Sequence, residues 1–298
     1  MCLYGAHLKV FTGVIAIKFV KFHGLGNDFV IVDALEESGL PENREELPGL
    51  ARDVCHRRFG VGADGLILIK KSDKADIYMQ IINSDGSEPE MCGNGIRCVA
   101  KYVYDAGIVP RRQIRVETLA GIILPEIITD DHKAAMVKVD MGQPGLERSD
   151  IPMLGPAGRV VGEPLEHRGE IFRVTAVSMG NPHCVIFVDD VQAVPLYQLG
   201  PELEVHPAFP RKANIEFVQV LNQGEVIMRV WERGAGYTMA CGTGACAAGV
   251  ASCLNGYTGR KVMVHLQAGP LEIEWSVNNH VYMTGPARKV FTGDYPLE

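Results

Sequence analysis

Apolar positions alternate and then run together through residues 15–33 (IAIKFVKFHGLGNDFVIVD), broken by a glycine-rich turn, and so predict strand, turn, strand. Between Pro48 and Phe59 the period becomes helical, through Leu50, Val54 and Phe59, and Gly60 supplies a stop. GLILIK (65–70) and IYMQII (77–82) are apolar runs of strand length. The polar loop NSDGSEPEM (83–91) then leads to Cys92 and a predicted helix to about Ala106, stopped at Gly107. Its Ile96, Val99, Ala100, Val103 and Tyr104 fall on neighbouring faces. GTGACAAGVASCLNG (242–256) is small or apolar nearly all round, the pattern of a helix buried on every side. The Pro- and Gly-rich stretch 142–170 predicts loop and linker, and VYMTGPARKVF (281–291) a strand that returns to the first half.

These elements occur twice. ADIYMQIIN (75–83) is followed nine positions later by Cys92, and GEVIMRVWE (224–232) nine positions later by Cys241. IRVETLAGIIL (114–124) is echoed by VMVHLQAGPLEI (262–273). GLGNDFVIVD (24–33) is echoed by SMGNPHCVIFVD (178–189), which sets Asn27 opposite Asn181. The pattern predicts an α+β fold of two pseudo-symmetric domains from an internal duplication. Each is a mostly antiparallel sheet or barrel wrapped around a central helix. The expected division is an N-terminal extension (1–16) without an echo, a first domain (17–136 plus 286–298) and a second (137–285).

Bulk properties narrow the class. A chain of 298 residues suits two domains of about 150 each. Its 47% hydrophobic and 22% charged residues are ordinary for a globular protein. A net charge of −7 without a basic stripe argues against nucleic acid, and no apolar run reaches the length of a membrane span. The eight cysteines include no Cys-x-x-Cys pair, and residues 1–20 lack a small-residue cleavage site. A soluble, cytoplasmic protein is expected, with the cysteines outside the two motifs serving as small buried hydrophobes.

The candidate chemistry lies in Met91-Cys92-Gly93-Asn94-Gly95 and Ala240-Cys241-Gly242-Thr243-Gly244. Two facing thiols can remove a proton from one side of a carbon and return one to the other. Glycine-rich helix starts supply backbone N–H groups and a favourable dipole end for an anion. Ionising a thiol at pH 7 costs about 2 kcal/mol, and a helix terminus returns up to about 2 kcal/mol, so an accessible thiolate is expected. A lone Cys-Gly-x-Gly is a weak signal; two in a duplicated frame, each after a matched polar residue (Asn83 and Glu232), are much stronger. His183 and Glu232 are candidate neighbours for the thiols. Asn27, Asn181 and Asn214 read equally as turn-forming residues, although the first two match across the repeat.

HGLGNDFV (23–30), NSDGSEPEMCGNGIRC (83–98), ETLAG (117–121), GNPHCV (180–185), ANIEFV (213–218) and WERGAGYTMACGTGACA (231–247) closely resemble the diaminopimelate epimerases. That family interconverts LL- and meso-2,6-diaminopimelate without pyridoxal phosphate or metal, on the route to lysine and peptidoglycan. The resemblance implies Cys92 and Cys241 as proton acceptor and donor, with His183 and Glu232 tuning them. It implies Gly93, Asn94, Gly242 and Thr243 around the reacting carboxylate. Asn27, Asn83, Asn181, Asn214, Glu232 and Arg233 would hold the amino groups and the distal carboxylate. A homodimer without cofactor, acting on a small molecule, is also implied. One position departs from the pattern: Gly65 stands where part of the family has a substrate-contacting glutamine.

Other readings make different demands. Proline and hydroxyproline racemases of the same superfamily resemble Cys-Gly-His-Gly at the first motif, where this chain has Asn94, and their cyclic substrate does not call for Arg233. A phenazine-type isomerase lacks the cysteine pair. A thiol redox or metal-binding protein predicts closely spaced cysteines, and a pyridoxal-phosphate racemase needs a lysine that neither motif offers.

Overall fold

Two mixed sheets, each with a helix lying against its inner face, account for most of the chain in the computed structural model, which describes residues 16–36, 39–41, 43–130 and 133–297. The expected N-terminal extension lies outside these residues apart from Ala16. In chain order the strands are β1 (Ala16–Gly24), β2 (Asn27–Asp33), β3 (Gly65–Lys70), β4 (Ile77–Asn83), β5 (Val116–Thr118), β6 (Gly121–Ile123), β7 (Glu126–Asp130), β8 (Lys133–Asp140) and β9 (Glu163–His167). They continue as β10 (Glu170–Ser178), β11 (Pro182–Phe187), β12 (Asn214–Asn222), β13 (Glu225–Glu232), β14 (Gly236–Thr238), β15 (Lys261–Leu266), β16 (Gly269–Trp275), β17 (Val281–Gly285) and β18 (Arg288–Pro296). The α-helices are α1 (Leu47–Cys55), α2 (Gly93–Asp105), α3 (Leu196–Glu204) and α4 (Gly242–Leu254).

The first sheet runs β18-β1-β2-β3-β4-β5-β6, and the second runs β7-β8-β17-β16-β15-β13-β12-β11-β10-β9 with β14 paired to β13. The duplication is visible in the register. Phe29 pairs with Gly65 across the parallel β2 and β3, as His183 pairs with Asn214 across the parallel β11 and β12. β3 then turns back antiparallel to β4, and β12 to β13. After β17 the chain leaves the second sheet, and β18 pairs antiparallel with β1 of the first.

Each half has a large core between its sheet and central helix, α2 in the first and α4 in the second. A smaller core lies under α1 or α3 on the other face. α4 is built mostly from Gly, Ala, Cys, Val and Ser because the strands close tightly around it: a Cβ on Gly249 would stand 2.8 Å from Ile273. The β7–β8 hairpin belongs to both halves. It is hydrogen-bonded into the second sheet beside β17, yet Ile127, Ala134, Val137 and Val139 pack into the core around α2.

Some local expectations change. α1 ends at Cys55, short of Phe59, because His56 turns extended and its Nδ1 accepts from the backbone N–H groups of Arg58 and Phe59. Phe59 is left 87% exposed. β9 forms inside the stretch read as linker, and the strand expected at 281–291 is divided between β17 and β18.

Candidate active site

β4 and β13 end, and α2 and α4 begin, at the wall of one cleft of about 750 Å³. Cys92 and Cys241 are the N-cap residues of α2 and α4, with matching extended backbones (φ −138°, ψ 114° and φ −123°, ψ 114°). Sulfur stands where an N-cap usually offers Ser or Asp oxygen. Cys92 Sγ accepts from the Gly95 N–H at 3.4 Å, and Cys241 Sγ from the Gly244 N–H at 3.3 Å. Gly93 and Asn94, and Gly242 and Thr243, form the first turns, where N–H groups lack an intrahelical partner. A Cβ on Gly93 would lie 3.3 Å from Met283 and one on Gly242 3.2 Å from it, so the two helix starts converge over this residue.

The polar surroundings differ in the two halves. Asn27 Oδ1 lies 3.8 Å from Cys92 Sγ and accepts from Asn94 Nδ2 at 3.1 Å. Asn27 Nδ2 donates to Asp64 at 2.7 Å, and Asp64 pairs with Arg57 at 2.6 Å. Around Cys241, Thr243 Oγ1 lies 3.5 Å from the sulfur and accepts from Asn181 Nδ2 at 3.3 Å. Asn181 Oδ1 bonds His183 Nε2 at 2.9 Å, and His183 Nδ1 meets Glu216 Oε1 at 2.6 Å. Both members of that last pair are fully buried, and Glu216 Oε2 has no hydrogen-bond partner among the described residues.

Of the residues singled out from sequence, Asn27, Asn83, Cys92, Gly93, Asn94, Glu232, Cys241, Gly242 and Thr243 line the cleft. Thr238 donates to Glu232. Asn181 and His183 connect to the lining through Thr243. Asn214 is buried and its amide is committed, donating to Pro182 O and accepting from the Arg233 N–H, both at 2.9 Å. It therefore holds the backbone of Arg233, whose guanidinium donates to Arg211 O. Gly65 lies at the end of β3 opposite Asn83, and a Cβ there would be 3.1 Å from Ile82 O. Sequence reasoning missed Arg57 and Asp64 in the lining and Glu216 beneath α4. The signal for Glu216 was its place inside the apolar strand IEFV, where a lone acid must find a partner.

The expected balance at the thiols also changes. Burial raises Cys92 above the usual thiol range, against the pull of the Gly95 and Asn94 N–H groups and of Arg97. Burial raises Cys241 well above it, and the charges of Glu232 and Glu216 push the same way. Desolvation outweighs the helix ends at both sulfurs, so burial favours the neutral thiol over the thiolate. Four other cysteines (Cys55, Cys98, Cys184 and Cys246) are buried and free, and burial pushes Cys55, Cys98 and Cys246 up to about 12. Among the described residues no His/Cys/Asp/Glu group has metal-holding geometry. No helix among them is long and apolar enough to cross a membrane.

The fold is shared with solved structures at low sequence identity. A PhzF-family phenazine biosynthesis protein from Bacillus anthracis superposes with a TM-score of 0.68 at 17% identity, covering 95% of this chain and 99% of that one. A hydroxyproline epimerase from Agrobacterium vitis gives 0.64 at 15%, covering 95% and 93%. In sequence, the chain is 63% identical over 280 residues to a diaminopimelate epimerase from Pelotomaculum thermopropionicum (94% of this chain, 99% of the relative). It is 62% identical over 283 residues to one from Moorella thermoacetica (95% and 100%). The profile of the diaminopimelate epimerase family matches residues 19–147 and 175–290, one stretch in each half of the duplication. On both counts the chain belongs to the diaminopimelate epimerase family.

Proposed function

We propose that the protein interconverts LL- and meso-2,6-diaminopimelate by proton transfer between two thiols, without pyridoxal phosphate or metal. The observation that carries this reading is the mirrored pair of cysteine N-caps, Cys92 on α2 and Cys241 on α4, in one cleft. One sulfur, as thiolate, takes the α-proton from one face while the other thiol delivers a proton to the opposite face; the roles exchange with direction. The two share one proton, and their titrations are those of a pair. Because burial favours the neutral thiols, one must lose its proton before the cycle begins.

As the α-proton leaves, negative charge grows on the neighbouring carboxylate. N–H groups at the starts of α2 and α4, around Gly93-Asn94 and Gly242-Thr243, suit that charge, and a single donor of this kind contributes about 2.7–4 kcal/mol. Asn27, Asn83, Asn181, Glu232 and Arg233 would hold the amino groups and the distal carboxylate, with Asn214 fixing the backbone of Arg233. His183 reaches the Cys241 side through Asn181 and Thr243, whereas Glu232 acts on Cys241 directly through its charge. Among the described residues the cleft lining includes no lysine for a Schiff base. Cytoplasmic location and a homodimer belong to the same reading.

Proton NMR of LL-diaminopimelate with the reduced, cofactor-free protein in heavy water tests the proposal. Loss of the α-proton signal with appearance of the meso isomer is expected. An unchanged α-proton signal would sink it, and proline or hydroxyproline exchanging under the same conditions would point to another racemase.

A further inference from the structure

Arg97 is a fully buried cation with no acidic partner among the described residues. It lies on α2 and folds back toward the start of its own helix. Its guanidinium donates to Asn94 Oδ1 at 2.9 Å, Gly93 O at 3.3 Å and Pro286 O at 3.4 Å, and meets Met283 Sδ at 3.6 Å. All four acceptors are neutral. Backbone glycines make room for it: a Cβ on Gly24 would stand 3.1 Å from Nη2, and one on Gly285 3.4 Å from Nε. The equivalent position in the second half is the uncharged Cys246, so the two halves share a single central cation.

This arrangement is electrostatically unfavourable on its own. Arginine keeps its charge when buried, and an unpaired buried ion is costly. The nearby ends of α2 and α4 are the positive ends of their dipoles, so they repel a cation. Met283 touches the guanidinium and also bounds the space above Gly93 and Gly242. Three positive contributions thus point at one place, which an anion would complete.

We propose that Arg97 is a positioning residue and the standing counter-charge for the reacting carboxylate of the substrate, acting through Asn94 and the start of α2 without touching it. The inference rests on the epimerase reading. When the α-proton moves to a cysteine sulfur, the electron pair it leaves is shared with the carboxylate, which gains negative charge. The attraction to Arg97 is therefore stronger in the transition state than in the bound ground state, the condition for raising kcat. The charge of Arg97 also favours the Cys92 thiolate directly, although the Arg97–Asn94–Asn27 chain itself ends on an amide oxygen that accepts from the thiol.

The test compares Arg97→Met and Arg97→Lys with the wild type, all reduced and full length. The readouts are α-proton exchange from LL-diaminopimelate in heavy water across pH, and thermal unfolding. Arg97→Met is expected to unfold no lower than the wild type, because an unpaired buried charge has gone. Its kcat is expected to fall by about 10²-fold with a smaller change in KM. The rise of kcat/KM with pH should move to higher pH, since Cys92 then faces the Asp64 carboxylate without a compensating cation, the nearby Cys98 and Cys246 being neutral thiols. Arg97→Lys should recover part of the rate and of the shift, and it carries the test if the Met variant does not fold. An unmoved pH profile in a folded Arg97→Met protein, or a Lys variant as impaired as Met, would overturn the inference and leave the epimerase reading standing. A wild type that exchanges no α-proton would overturn both.

Discussion

The two halves place the same thiol on the same kind of helix start, but what lies beneath each thiol differs. Phe29 and Ile67 belong to the core below α2, and a Cβ on Gly95 would lie 3.2 Å from Ile67 Cδ1. At the corresponding register positions below α4 stand His183 and Glu216, a buried pair 2.6 Å apart under Gly244. On the first side the cation Arg97 on α2 favours the Cys92 thiolate, and the Asp64 carboxylate opposes it. Near Cys241 the charge is negative, from Glu216 and Glu232. Duplication supplied two matched thiols, and later side-chain choices made them unequal. At Cys241 two carboxylates, Glu232 and Glu216, oppose ionisation together with burial, whereas at Cys92 a cation works against burial.

Removing either sulfur should break the comparison most completely. Cys92→Ala and Cys241→Ala are each expected to lower epimerisation of diaminopimelate by roughly 10²–10⁴-fold, the usual worth of a positioned acid or base. Full activity in either variant, followed by NMR, would leave the chain with one working thiol and end the two-thiol account.

The buried pair allows a finer cut. Glu216→Ile alone leaves the His183 imidazole without its partner and should cost about 3–5 kcal/mol in urea unfolding. His183→Phe with Glu216→Ile installs the pair type of the first half and should recover most of that loss. Recovery of activity in the double variant would mean the pair serves packing alone. Burial pushes the Glu216 carboxyl up and His183 pulls it down; Glu216→Gln keeps an acceptor for His183 but removes whatever negative charge that carboxylate carries near Cys241. Its rise of kcat/KM with pH should therefore move to lower pH, the opposite direction to Arg97→Met, with Glu232 still opposing ionisation. Shifts of the same sign would refute the charge contrast between the halves.

Much of this was legible in the chain. The repeated strand, the nine-residue spacing to each cysteine and the glycines after it mark both helix starts, because local backbone demands are written in Gly and Cys at set intervals. Glu216 was hidden inside an apolar strand, and its inward direction depends on the register of β12 against β11 and β13. The thiols' acidity is less legible, because helix dipoles can be read from sequence whereas desolvation depends on which walls close around the sulfur. Phe59 was expected to lie on the apolar face of its helix, but the His56 side chain captured two backbone N–H groups and ended α1 a turn early. The β7–β8 hairpin, bonded to one sheet and packed on the other half's helix, has no one-dimensional signature.

The smallest expected effect concerns the glycines that follow the thiols. Ala at Gly95 would bring a Cβ to 3.2 Å from Ile67 Cδ1 and Met79 Cε, both ends of flexible side chains that can give way. The helix propensity gained by Gly→Ala, about 1 kcal/mol, offsets that crowding, so Gly95→Ala should change stability by less than about 1 kcal/mol. Ala at Gly244 would put its Cβ 2.9 Å from Glu216 Oε1 and 3.2 Å from Cys241 Sγ. Glu216 is held by His183 in a fully buried site and has nowhere to retreat, so overpacking should cost about 1–3 kcal/mol and displace the sulfur as well. Paired denaturation curves and exchange rates for the two variants decide the matter. Equal, small effects would show that the Glu216–His183 pair can yield, and a pair that yields cannot be what holds Cys241 and the start of α4 in place.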